Sequence, residues 1–290
     1  MMRPVPEFAE ASAVSGGAGR YAAALAPDWF VWGPMGGYVA AIAFRAMALE
    51  TSHPVPATFA CQFLRAGQAG PIDVQVESVR GGKRSEALRA VIAQGGKPLL
   101  AATAWFTAGG MEGFEHVGAA IPKVPDPEAL RPYSLLADNY ADWYPIWRNI
   151  EGRPVRWAFE PGPPIWQTWM KLVAGVPDDP ILDAARTVLW ADLLPWNACL
   201  GPHEWPRRWI APNLDLTVTF HGGARGEEWI LCDAESPVAS GGLAGGVGRL
   251  WTRSGRLVAT STAQLLCVDN PTYEQELVQK RALLAESAER

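Results

Sequence analysis

The chain has 290 residues, of which 49% are hydrophobic and 19% charged. That is apolar enough for a full core and rules out a mainly disordered chain. Lys and Arg number 25 against 30 Asp and Glu, a net charge of −5. With no basic run, the sequence argues against nucleic-acid binding, which needs clustered cations to release counterions.

The first residues contain no apolar core of signal-peptide length, and no apolar run reaches the ~18 residues of a membrane span. Cys61, Cys199, Cys232 and Cys267 are scattered without CxxC spacing. The expectation is a cytoplasmic protein without a membrane segment, a disulfide framework or a metal site. Fourteen Trp residues point to apolar surfaces with polar edges, as in a ligand groove or subunit interface, and to a homodimer or larger assembly.

Gly33-Pro34-Met35-Gly36-Gly37 is a turn cluster that opens a helix from Tyr38. Ala, Met, Leu and Phe lie on all its sides, which predicts a buried helix. Four strand-length runs follow, Ala57–Leu64, Ile72–Val79, Ala87–Gln94 and Leu99–Thr107, divided by Gly-rich turns. Residues 119–140 are rich in Pro and charge and read as a linker between 1–118 and 141–290. Val155–Phe159 and Trp166–Leu172 have strand character.

The pattern then recurs. Asp179-Pro180 is a capped helix start, and the helix is expected to run from Ile181 to Leu194. Strand runs follow at Leu214–His221, Glu228–Ala234, Gly242–Trp251 and Arg256–Leu266. TFACQF at 58–63 aligns with DLTVTF at 215–220, and GKPLLAATAWF at 96–106 with GRLVATSTAQ at 255–264. A helix and meander that occur twice form an internal duplication. The fold expected is α+β, a tandem double hot-dog in which each half wraps a curled antiparallel sheet around a buried helix. Fusing two such units removes two exposed sheet edges.

Six segments resemble, in order, the acyl-CoA thioesterase II (TesB-like) family. They are VWGPMGGYVAA, FACQFLRAG, GKPLLAATAWF with its following GFEH, IAPNLDLTVTFH, EEWILCDAESPVASGG and GRLVATSTAQ. The resemblance implies hydrolysis of acyl-CoA to free acid and CoA, without metal or cofactor, by a water oriented by an Asp, a Thr and a Gln. The Asp then falls on Asp215. The Gln falls on Gln264, one residue late, and a one-residue slip on a strand reverses the face unless a bulge intervenes. The Thr falls on Pro237, which has no hydroxyl, so Ser236 or Ser240 would have to substitute.

Gly36, Gly37 and Tyr38 are the expected substrate-binding residues, since N–H groups at a helix start can receive a thioester oxygen as it gains charge. Asp192, an acid in an apolar helix, reads as a structural cap more readily than as a site residue. His221 reads as a strand-edge residue, and Arg65, Lys83, Arg84, Arg207 and Arg208 are candidates for the CoA phosphates. Opposite Asp215 and Gln264, the first half carries Thr58 and Phe106, which predicts one competent site per chain, the other groove being filled by Phe106 and Trp105. Two other functions remain open on the residues alone. One is a non-catalytic acyl-thioester binder with a decayed site; the other is a hydratase using Asp215 and His221.

Overall fold

The computed structural model describes residues 7–135, 144–156, 161–175 and 178–278. A one-turn helix, α1 (Phe8–Ala11), precedes strands β1 (Ser15–Gly17) and β2 (Arg20–Leu25). Then come helix α2 (Gly36–Glu50) and strands β3 (Val55–Phe63), β4 (Gly70–Gly81), β5 (Ser85–Gln94) and β6 (Lys97–Thr107). The second half has β7 (Ile150–Pro154), β8 (Ile165–Leu172) and helix α3 (Pro180–Leu200). Its remaining strands are β9 (Trp209–Ile210), β10 (Asp215–Phe220), β11 (Ile230–Glu235), β12 (Ala239–Ser240), β13 (Leu243–Thr252), β14 (Leu257–Leu266) and β15 (Val268–Asp269).

Thirteen strands form one antiparallel sheet in the order β1-β2-β4-β5-β6-β3-β10-β14-β13-β11-β8-β7, with β12 beside β13. The halves meet where β3 pairs with β10, Asp215 facing Gln62 and Thr219 facing Thr58. This central seam replaces two sheet edges with one hydrogen-bonded ladder. Alternate residues of the strands face the two helices: Phe59 and Cys61, Leu216 and Val218, Ala259 and Ala263 are all buried. α2 and α3 lie side by side and antiparallel. The first turn of α2 touches the middle of α3 at Leu189 and Asp192, while Arg45, late in α2, feels the charge of Asp179 at the start of α3.

The doubled hot-dog arrangement is thus present, with differences in detail. α3 continues through Pro195 to Leu200, past the end expected at Leu194, and its Cys199 and Ala198 are buried. Tertiary packing overrides the proline here: the Pro195 ring fits against Gly246, where an added Cβ would lie 2.4 Å from it. The strands β1, β2 and β7 are short, and their Gly, Ala, Arg and Pro residues carry no alternating apolar signal. The strand expected over 155–159 runs into residues outside those described.

Residues 121–130 lie across the outer face of the second half. Ile121, Val124 and Leu130 pack on Trp169, Trp229, Leu231 and Trp251, and Trp169 Nε1 donates to the Pro125 carbonyl at 2.9 Å. Arg253 holds Glu128 through two 2.8 Å bonds. Several of the many Trp residues are therefore accounted for by a strap over a sheet face.

Candidate active site

The seam between the halves contains an irregularity that shapes the site. β10 pairs with β14 so that Thr217 faces Thr262, yet Asn213 bridges Leu265. β10 therefore carries one extra residue, a bulge at Leu214–Asp215 opposite Gln264. Bulges re-aim side chains. Asn213 shares odd parity with Thr217, which is exposed on the face away from the helices. After the bulge its side chain turns inward instead and reaches α3.

There it meets Asp192. Asn213 Nδ2 donates to Asp192 Oδ1 at 2.7 Å and to the Asp192 carbonyl at 3.0 Å. Asp192 Oδ2 accepts the Gly37 N–H at 2.6 Å, across 155 residues of sequence. The carboxylate faces the two glycines so closely that neither admits a side chain. A Cβ on Gly36 would lie 3.0 Å from both carboxylate oxygens, and one on Gly37 would lie 2.7 Å from the Asp192 Cβ and from the Leu189 carbonyl. The glycine pair at the start of α2 is thus required by the acid on α3.

Asp192 is buried, and the groups bonded to its carboxylate are neutral donors. Burial pushes its pKa up to about 6, while the bonds from Asn213 and Gly37 pull it down. That value suits a base working near neutral pH. Asn213 Oδ1 is buried and has no hydrogen-bond partner among the described residues. An acceptor of this kind beside a carboxylate is placed to hold a water or a substrate N–H. The Gly36 N–H, in the first turn of α2, likewise has no acceptor among the described residues, and Gly36 is half-buried rather than sealed. Cys61 lies nearby, but burial first, then the Asp192 and Asp215 charges, push its thiol well up. It stays protonated and is no nucleophile.

Aromatic side chains lie one turn further along α3. Trp196, one turn beyond Asp192 on α3, meets Trp32 edge-on at 6.1 Å. Trp32 is half exposed and donates to the Tyr144 hydroxyl at 3.2 Å. Trp196 also lines a cavity of about 330 Å³ with Cys199, Pro202, His203, Arg207 and Trp209.

The residues expected from sequence are distributed differently. Gly36 and Gly37 begin α2, against Asp192. Asp215 and Gln264 are brought together, the Gln264 N–H donating to Asp215 Oδ1 at 2.9 Å. The Asp215 carboxylate thereby fills the gap the bulge leaves in the ladder. Both residues share parity with Thr217 and Thr262, on the sheet face away from the helices. Ser236 is buried and donates to the Gly245 carbonyl at 2.8 Å.

Tyr38 is a correction. It is fully buried, stacks on Trp29, donates to the Ala11 carbonyl and accepts from the Ala26 N–H. Its hydroxyl anchors the N-terminal segments, so it has no free group for substrate. Trp105 is another: it is 38% exposed, while Phe106 is buried on Phe44. Neighbouring strand residues face opposite ways, so the two do not fill one groove. The Asp192–Asn213 pair is not among the residues expected from sequence. The only sequence signal was a lone acid in an apolar helix together with a distant Gly-Gly helix start.

Fold and site define a protein that holds a carboxylate against a helix N-terminus between two hot-dog halves. Models of the acyl-CoA thioesterase N-terminal and C-terminal domains match residues 25–107 and 119–268. Human acyl-coenzyme A thioesterase 8 is 28% identical over 251 residues, covering 78% of this chain and 77% of its own. The acyl-CoA thioesterase II TesB2 of Mycobacterium marinum superposes with a TM-score of 0.75 at 24% identity, over 92% of this chain and 98% of that one. A hot-dog protein of unknown function from Alicyclobacillus acidocaldarius gives 0.77 at 21% identity, over 91% and 98%. The chain belongs to the acyl-CoA thioesterase family, and it is a hydrolase of acyl-CoA thioesters.

Proposed function

We propose that Asp192 is the general base of this hydrolysis, that Asn213 orients the attacking water with it, and that Gly36 presents its N–H to the thioester oxygen while the Gly37 N–H holds the Asp192 carboxylate. The observation that carries this reading is the buried Asp192 carboxylate, raised to about 6 and bonded to a helix N-terminus on one side and Asn213 on the other. A water donating one O–H to Asp192 and the other to the unpartnered Asn213 Oδ1 has its lone pair directed outward. It attacks the carbonyl carbon while Asp192 takes its proton. Negative charge builds on the former carbonyl oxygen, where a helix N-terminus stabilises it. Collapse breaks the C–S bond, and the proton returns from Asp192 to the departing CoA sulfur.

The substrate is a fatty or related acyl-CoA. The acyl or pantetheine arm enters past Trp32 and Trp196, and Arg207 and Arg208 stand at the neighbouring cavity for the CoA phosphates. The division into 1–118 and 141–290, joined by 119–140, follows the two helix-and-meander units. The setting is cytoplasmic: all four cysteines are free and three are buried, and no helix among the described residues is long and apolar enough to cross a membrane. Assembly is a homodimer or larger, in keeping with Val79 and Trp105 exposed on the first half's outer face. The mechanism is tested by acyl-CoA turnover of Asp192→Asn with the fold checked by melting temperature. Parental turnover in that variant would refute it.

A further inference from the structure

The duplication supplies a second position equivalent to the site, at the opposite end of the helix pair. Matching the helix starts sets Gly36 against Pro180, Gly37 against Ile181 and Asp192 against Ala48. Matching β3 with β10 sets Phe63 against Phe220 and Asn213 against Pro56. The second position therefore has no base, no amide and, at Pro180, no N–H. It has not filled in, however. A cavity of about 510 Å³ lies there, lined by Pro56, Pro180, Phe220, His221, Arg225 and Arg256.

Its lining has changed sign as well as chemistry. Where the active site carries a carboxylate, this cavity carries two guanidinium groups. The Arg256 side chain has no partner among the described residues, and Arg225 reaches only the exposed Asp178, at 3.8 Å. The carboxylate of Asp183 also borders the cavity. It is already bonded to Arg186 at 2.6 Å and to the Ala224 N–H at 2.7 Å, so it does not answer Arg225 and Arg256. Apolar Pro and Phe walls with two arginines at the edge match an apolar arm that ends in phosphate.

We propose that this second cavity binds the phosphorylated CoA moiety without hydrolysis, Arg225 and Arg256 holding phosphate and the Pro56–Phe220 wall holding the pantetheine arm. The inference rests on the Asp192 reading, since it takes its position from that site. A CoA ligand is favoured over a free nucleotide because the cavity repeats, within the fold, the place where the thioester is cleaved.

The test is calorimetric titration of the full chain with free coenzyme A, repeated with Arg225→Glu/Arg256→Glu, with Arg256→Glu alone and with 3′,5′-ADP as competitor. Two equivalents are expected in the parent and one in the double variant, with weakening of one equivalent in Arg256→Glu and an unchanged melting temperature in both. Inability of 3′,5′-ADP alone to saturate the second equivalent is expected, because it lacks the pantetheine arm. One equivalent in the parent, or two that survive charge reversal, overturns the proposal, and saturation by 3′,5′-ADP as tight as by CoA makes it a nucleotide site instead. Asp192→Asn separates the two readings: it should abolish turnover and leave both equivalents. Retained turnover would sink the base assignment whatever the titration shows.

Discussion

Two buried aspartates on one helix have opposite fates. Asp183, in the first turn of α3, is bonded to the buried Arg186 at 2.6 Å and to the Ala224 N–H. Arg186 in turn donates to the Ala224 and Glu227 carbonyls, so the pair fixes the loop that follows β10. Asp192, about two and a half turns further on, has no cation beside it among the described residues, and its carboxylate is bonded there to neutral donors. A buried charge with an ion partner is a structural clasp; one held by neutral dipoles alone keeps a raised pKa and remains available for proton transfer.

The comparison breaks most sharply at Asp192. Asp192→Asn should lower kcat by ~10²–10⁴-fold, the range for a positioned acid–base group. Its stability should move the other way. The native pKa lies above the unfolded value, so the folded chain keeps a proton that the unfolded chain has released. Stability from this group is present below about pH 4 and is lost as pH rises towards about 6. Asp192→Asn should therefore gain in unfolding free energy over the parent at pH 8 relative to pH 4, by at most ~3 kcal/mol. A difference that does not widen with pH would show that the carboxylate is not desolvated.

Arg186→Leu tests the other aspartate. It leaves Asp183 buried without its cation and should cost ~3–5 kcal/mol in denaturant unfolding, with any loss of turnover following the loss of folded protein. Asn213→Ala is expected to be smaller, ~10–100-fold in kcat. It removes one of the bonds that lower the Asp192 pKa, so the inflection of its pH–rate profile should move above the parent's. Asp215→Asn is the smallest. Its amide oxygen can still accept the Gln264 N–H, and turnover should stay within about tenfold of the parent.

Much of this architecture is legible from residue pattern. An all-apolar α2, two meanders with Gly-rich turns and their repetition lead directly to the doubled sheet and its buried helices. The continuation of α3 through Pro195 is not legible, because it depends on the absence of a Cβ at Gly246 on a facing strand. The site is half legible. Gly36 and Gly37 stand out as a helix start, whereas their need for glycine comes from Asp192, which only the crossing of two helices reveals. Asn213 is hidden for another reason: on simple strand parity it faces away, and the bulge that turns it inward is set by pairing between distant strands. Asp215 stands out in the sequence as an acid at the start of an apolar strand, and its ladder-capping role appears only with that same bulge.

The pH dependence of kcat/KM, measured side by side for the parent, Asp192→Asn and Asp215→Asn on one acyl-CoA, tests the central claim most directly. The parent profile should rise with unit slope to an inflection near pH 6 and then level. Asp215→Asn should keep both rate and inflection, and Asp192→Asn should lose both. A profile in which Asp192→Asn keeps the inflection while Asp215→Asn abolishes it would make Asp215 the base instead.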